Sequence, residues 1–282
     1  MKKFKNSDHL IFEGDALDIL TNEITDHSVD LIFVDPPYNI GKNFNGIIDR
    51  WESDNEYLQW SYQWIDLLIN KLKDTGSLYI MTSTQFIPYF DIYIRNKMTI
   101  LSRVVWYYDS SGVQAKKYYG SMYEPILFCV KDKNKYIFNS GDILVEAKTG
   151  SERKLIDYRK NPPQPYNTKK VPGNVWNIPR VRYRMQEYEN HPTQKPIKLL
   201  ERIIKASSNE GDVVLDPFSG TFTTSYVSKK LNRKSIGIEM NPCYVKIGLR
   251  RVLEMNVLNG EVLSSVDKTY KRKVLQEYSL PI

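Results

Sequence analysis

Cysteine is almost absent: the 282 residues hold only Cys129 and Cys243, in unrelated contexts, with neither a CxxC pair nor His-rich spacing. That pattern excludes a disulfide framework and a zinc site, so no metal centre is expected and both residues are read as buried thiols. Long apolar runs are absent too. None approaches the ~18 residues that cross a bilayer. Met1-Lys2-Lys3 leads into polar Asn6-Ser7-Asp8, without the apolar stretch of a secretory signal. The expectation is a cytoplasmic protein without a membrane partner. There is no internal repeat, no G-x-G-x-x-G and no P-loop lysine, which excludes a dinucleotide site. The 41% hydrophobic content is enough for a buried core, in one large domain or two small ones.

Positive charge is concentrated in one segment. Of the net +7, residues 131–184 carry 13 Lys and Arg against 5 Asp and Glu, a surplus of +8 that leaves the rest at −1. The same segment holds Tyr136, Tyr158, Tyr166, Trp176 and Tyr183. Interleaved cations and aromatics suit phosphate neutralisation with base stacking. A solvated basic loop is the plain alternative.

Elsewhere strands and helices alternate. Leu10-Ile11-Phe12, a short helix from Gly14-Asp15-Ala16-Leu17 and the run ending at Val34 read as strand, helix and strand. Apolar spacing predicts a helix over residues 52–72, which Gly76 ends before a strand Ser77 to Met81. Strand-like stretches follow at Val104 to Tyr108 and Pro125 to Val130. Alternation resumes with helix Ile197 to Ala206, strand Asp212 to Leu215, helix Thr223 to Leu231 and strand Ser235 to Ile238. Asn241 then caps a helix to about Leu253. The pattern predicts a mostly parallel sheet covered on both faces.

Two strand ends carry the chemistry. Leu31 to Val34 is short and apolar enough to be buried on both faces, and Pro36 and Pro37 continue neither strand nor helix, so the chain turns at Asp35. Asp35 and Tyr38 then face the crevice at the carboxyl end of a parallel sheet. The other end is Val213-Val214-Leu215-Asp216-Pro217-Phe218-Ser219-Gly220-Thr221, again strand, acid and turn. An ammonium or sulfonium fits beside Asp216. Glu239, at the end of the next strand, is placed to accept hydrogen bonds from two ribose hydroxyls, and Asp15 to accept them from an adenine amino group. Taken singly, each acid is as well read as a helix cap or turn former.

Together these motifs resemble the β-class amino-methyltransferases of DNA. Asp35-Pro36-Pro37-Tyr38 is similar to that family's catalytic tetrapeptide, Asp216-Pro217-Phe218-Ser219-Gly220 to its S-adenosylmethionine loop, and His191-Pro192-Thr193-Gln194-Lys195-Pro196 to its other cofactor segment. The likeness, nearest to the orphan adenine methyltransferases of enterobacteria, covers roughly residues 10–253, including the stretches Tyr108 to Lys117, Ser121 to Pro125 and Asn161 to Tyr166. It implies a Rossmann-like, circularly permuted α/β fold in a single catalytic domain over 1–282. The target-recognition region would be inserted at about 109–190, with a basic tail at about 265–282. Phe222 departs from the pattern, standing where many members have a second glycine, and implies a looser loop. Asn161-Pro162-Pro163-Gln164 follows charged residues and reads as a turn, not a second catalytic motif.

The implied reaction moves a methyl group from S-adenosylmethionine to an exocyclic amine of a flipped-out base. Asp35 and the Pro36 carbonyl would accept the N–H hydrogens, Tyr38 would lie against the base, and Phe44 or Trp106 would form the opposite wall. Asp216 would hold the methionine ammonium, Glu239 the ribose and Asp15 the adenine. His191, Thr193 and Lys195 would lie at the methionine carboxylate, with Phe218 lining the adenosine pocket and Gly220 in the turn. Candidate contacts to double-stranded DNA are Lys116, Lys117, Arg153, Lys154, Arg159, Lys160, Arg180, Arg182 and Arg184. Relatives often dimerise, and a nucleoid-associated enzyme is expected. Adenine N6 is the leading target because the tetrapeptide begins with Asp. Cytosine N4 is the alternative, followed by an inactive DNA-binding protein.

Overall fold

The computed structural model describes residues 1–108, 116–147, 155–258 and 261–263. Nine strands among them form one sheet: β1 Lys2–Lys5, β2 His9–Glu13, β3 Val29–Val34, β4 Leu72–Met81, β5 Thr99–Tyr107, β6 Tyr123–Val130, β7 Val175–Asn177, β8 Val213–Asp216 and β9 Lys234–Glu239. Their spatial order is β1-β2-β9-β8-β3-β4-β6-β5-β7. Neighbours from β2 to β4 are parallel, β6 runs antiparallel to β4 and β5, and β7 joins β5 in parallel. This is the mixed, mostly parallel sheet expected.

Every residue of β3 is buried, and its side chains alternate between two cores. Ile32 and Val34 pack with α1 (Ala16–Asn22), α2 (Asp54–Lys71) and α3 (Ile87–Arg95). Leu31 and Phe33 pack with α4 (Ile197–Ser207) and α5 (Thr223–Lys230). The period of two thus puts helices on both faces. Burying one such Leu or Phe is worth about 1.5–3 kcal/mol. The ends of β3, β8 and β9 consequently cannot drift apart without exposing both cores.

Several expectations change. Helix α2 stops at Lys71, and Gly76 lies inside β4, not at the helix end. The pairing of β3 with β4 slips between Val29 and Leu31, and a Cβ on Gly76 would stand 2.6 Å from Leu72 Cδ1. Glycine there lets Leu72 fold across the strand. The helix from Asn241 is α-helical over Pro242–Gly248 (α6) and becomes a π-helical turn over Leu249–Leu253. Cys129 is buried but Cys243, in the first turn of α6, is exposed. Among the basic segment's aromatics, Trp176 is part of β7 and its core, while Tyr158, Tyr166 and Tyr183 are exposed. The Asn161–Gln164 stretch is an exposed turn between the paired Ile156–Asp157 and Gln164–Pro165. Among the described residues no helix is long and apolar enough to cross a membrane.

Phe222 does not loosen its loop. Its backbone takes the left-handed conformation that a glycine would supply, with φ 58°, and its ring is fully buried. Two glycines make room: a Cβ on Gly248 would come within 2.4 Å of the ring, and one on Gly237 within 2.7 Å. Helix propensity alone makes Gly248→Ala stabilising by about 1 kcal/mol, whereas overpacking costs about 1–3 kcal/mol. Net destabilisation is expected in urea unfolding, with part of it recovered when Phe222→Leu is added.

Candidate active site

Because β2, β3, β8 and β9 are parallel, their carboxyl ends lie on one edge and deliver Asp15, Asp35, Asp216 and Glu239 to a single cavity of ≈ 590 Å³. That lies within the roughly 300–1,000 Å³ typical of ligand pockets. The turn after β3 is held from outside. The Tyr57 hydroxyl donates to the Pro37 carbonyl at 2.8 Å, and Asp49 accepts the Tyr38 N–H at 3.1 Å and also the Lys42 N–H. Among the described residues no donor reaches the Pro36 carbonyl.

Asp35 has both oxygens engaged. Oδ1 accepts the Tyr38 hydroxyl at 2.6 Å, and Oδ2 accepts Lys195 Nζ at 2.5 Å. Lys195 Nζ also donates to the Thr193 carbonyl at 3.2 Å and lies 3.6 Å from Glu124 Oε2. That same Oε2 is 3.1 Å from the Tyr38 hydroxyl, while Oε1 accepts the Tyr108 hydroxyl at 3.1 Å. Burial pushes the Asp35 carboxyl above its ordinary range, against the pull of the Lys195 ammonium and with a push from Glu124. For Lys195, burial works against the ammonium, but Asp35 and Glu124 outweigh it and keep it charged. Lys195, which the resemblance implies at a methionine carboxylate, is paired with Asp35 in this structure. Glu124 and Tyr108 lie in stretches already singled out, yet no role was read for them. The available signal was an acid opening the apolar run of β6.

The second half of the cavity centres on Asp216 and Glu239. Asp216 is buried, with Oδ1 accepting the Phe218 N–H at 3.1 Å and Oδ2 the Thr224 hydroxyl at 2.5 Å. Glu239 accepts the Gly220 and Asn241 N–H groups, each at 2.8 Å. Burial pushes both carboxyls up to about 7. Asp15 is exposed and its Oδ1 caps α1 through the Asp18 N–H at 3.1 Å. His191 Nδ1 accepts the Thr193 N–H at 3.2 Å, and burial pushes the imidazole down to about 3, so it is neutral. Its ring meets Tyr244 at 4.4 Å and Gly220, where a Cβ would stand 3.1 Å from Nε2. Phe218 lies 5.6 Å from both Trp60 and Trp64.

Both rings considered as a wall line the cavity; Trp106 is 1% exposed and donates its indole N–H to the Ile178 carbonyl at 2.8 Å. Phe44 faces His191 at 5.6 Å. Arg180 lines the cavity and lies over the Tyr108 ring at 4.9 Å. Arg159 is paired with Asp157 at 2.8 Å, and Arg184 lies over Tyr183 at 5.7 Å. Lys116, Lys117, Lys160 and Arg182 are exposed, whereas Arg153 and Lys154 fall outside the described residues, as does the basic tail.

A family model described as DNA methylase matches residues 29–250. The chain is 59% identical over 266 residues to the DNA adenine methyltransferase YhdJ of Escherichia coli (strain K12), covering 94% of this chain and 90% of that one. It is 35% identical to the type II methyltransferase M.HpaI of Haemophilus parainfluenzae, covering 94% and 79%. The structure of the cytosine-N4-specific PvuII DNA methyltransferase superposes with a TM-score of 0.68 at 18% identity, over 97% of this chain and 93% of that one. That of an M1.HpyAVI–SAM complex superposes with a TM-score of 0.58 at 25% identity, over 86% and 97%.

The raised carboxyl of Glu239 has a measurable consequence. It stays protonated in the folded chain up to about 7, whereas unfolded it ionises near ~4.3. Between those values the folded state binds more protons, so this contribution to stability is present at low pH and lost as pH rises. Neutral His191 works in the opposite direction at lower pH, so the contrast is best read against Glu239→Gln. From about pH 5 to 8 the wild type is expected to lose on the order of 1–3 kcal/mol relative to that variant in urea unfolding.

Proposed function

The chain belongs to the DNA methylase family, and from that premise we propose that it transfers a methyl group from S-adenosylmethionine to the N6 amine of an adenine flipped out of double-stranded DNA. The observation that carries the adenine reading is the 59% identity, over nearly the whole chain, to a DNA adenine methyltransferase. Asp35 at the end of β3, beside Asp216 at the end of β8, supplies the chemistry that reading requires.

When bound, S-adenosylmethionine supplies an electrophilic methyl group. The donor set fits it: the carboxyls of buried Asp216 and half-buried Glu239, both pushed up to about 7, favour a ligand that brings positive charge and hydroxyl donors. Glu239 would hold the ribose hydroxyls and Asp216 the cationic end, with Gly220, His191 and Thr193 closing that wall and Phe218 the adenosine side. Asp15 offers the adenine its second oxygen, since Oδ1 caps α1.

On the other side Asp35 and the Pro36 carbonyl would accept the two N–H hydrogens of the target amine, whose lone pair is otherwise delocalised into the ring. Holding both hydrogens draws the nitrogen toward tetrahedral geometry and stabilises the charge that develops on it. Asp35 then receives the proton, a role its burial favours. Tyr38, fixed by its hydroxyl bond to Asp35, presents its ring to the base. The exposed cations Lys116, Lys117, Lys160 and Arg182, with Arg180 at the cavity, would neutralise the backbone of the duplex.

Incubation with unmethylated bacterial DNA should yield N6-methyladenine, and mapping of the modified sites then defines the recognised sequence. N4-methylcytosine as the only product would overturn the reading. Asp35→Ala should abolish incorporation while duplex binding, measured by anisotropy, stays within about threefold.

A further inference from the structure

Each oxygen of Asp35 already has a partner in the resting protein, so the amine that Asp35 is read to hold competes with one of them for the carboxylate. Tyr38 is the wrong partner to lose, because its hydroxyl bond fixes the ring placed against the base. Lys195 remains. Its ammonium is buried, and a buried charge cannot be left without a partner. A second carboxylate is within reach: Glu124 Oε2 stands 3.6 Å from Nζ, so a shift of roughly 1 Å would give a charge-assisted hydrogen bond of about 2.8 Å. The Thr193 carbonyl accepts from the same Nζ at 3.2 Å.

We propose that Lys195 is a movable counter-ion, resting on Asp35 until the target amine arrives and then passing to Glu124, which makes Glu124 a positioning residue for methyl transfer. The proposal rests on the amine-holding role of Asp35 given above. Charge balance favours it. At rest the cluster holds two carboxylates and one ammonium. As positive charge develops on the amine nitrogen, two cations face two carboxylates, one on each. Without Glu124 the lysine has no second dock and stays where the amine must bind. The Tyr108 hydroxyl donates to Glu124 Oε1 and orients its carboxylate for this, leaving Oε2 toward the lysine.

The test is a rescue. Glu124→Gln should lower kcat/KM on unmethylated bacterial DNA by about 30-fold or more, the scale of losing one partner of a buried charge pair, with S-adenosylmethionine affinity retained. Adding Lys195→Met should restore most of that loss, because it removes the occupant that Glu124 was needed to receive. Each enzyme is compared on the alkaline plateau of its pH profile, where Asp35 is ionised. A double variant no faster than Glu124→Gln alone would overturn the proposal. If Glu124→Gln does not melt cooperatively, Glu124→Asp, which withdraws the carboxylate by one methylene, takes its place in the same comparison. Wild-type incorporation on the same DNA reports separately on the methyltransferase reading, so the two can fail independently.

Discussion

The parallel pairing of β3 with β8 is the constraint on which the site depends. The register sets Leu31 beside Val214 and Ile32 beside Leu215, which brings Asp35, just past the end of β3, and Asp216, the last residue of β8, to the same edge of the sheet. Neither can move without dragging a strand whose last residues are buried. Positions far apart in the chain thereby acquire a fixed separation, which methyl transfer between two bound partners requires. Lys195 adds a second tie, joining the segment before α4 to the end of β3 across 160 residues of sequence.

Around that frame the chain tolerates departures where a neighbour absorbs them. Phe222 takes a backbone conformation suited to glycine, and its ring is accommodated by Gly237 and Gly248, which leave the space that side chains would fill. The strain is local, of order 1–2 kcal/mol, while the ring joins a core with Ile11, Val245 and Val252. The basic insert divides its labour similarly. Trp176 extends the sheet through β7, stacked beneath Arg202 at 5.1 Å, while Tyr158, Tyr166, Tyr183, Lys160 and Arg182 are exposed.

Much of the fold was legible because burial on both faces leaves a signature: β3 and the helices α2 and α4 were readable from apolar runs and their spacing. The candidate site was legible where an acid and a helix breaker follow such a run, as at Asp35 and Asp216. Three features were not. β7 is three residues long inside a proline-rich, basic stretch and exists only because β5 offers an edge. Gly76 looked like a helix end, since its reason for being glycine is contact with Leu72 across a strand irregularity, which no local pattern records. The hexapeptide around Lys195 carries no sign of its pairing with Asp35, because that partner is brought by burial and by carboxylates contributed from the end of β3 and from β6.

That choice of partner separates the two halves of the cavity physically. Asp216 and Glu239 are satisfied by N–H and hydroxyl groups, which are dipoles and not charges, so burial dominates and both carboxyls rest near 7. They gain most from a ligand that carries charge or several donors. Asp35 is half-buried, and it has a full cation against it, supplied from within the chain. A carboxylate already paired gains little from a neutral amine unless its cation has another place to go. The presence of Glu124 beside that ammonium therefore decides whether the Asp35 pair obstructs the amine or holds the carboxylate ionised until the amine arrives, and the geometry favours the second.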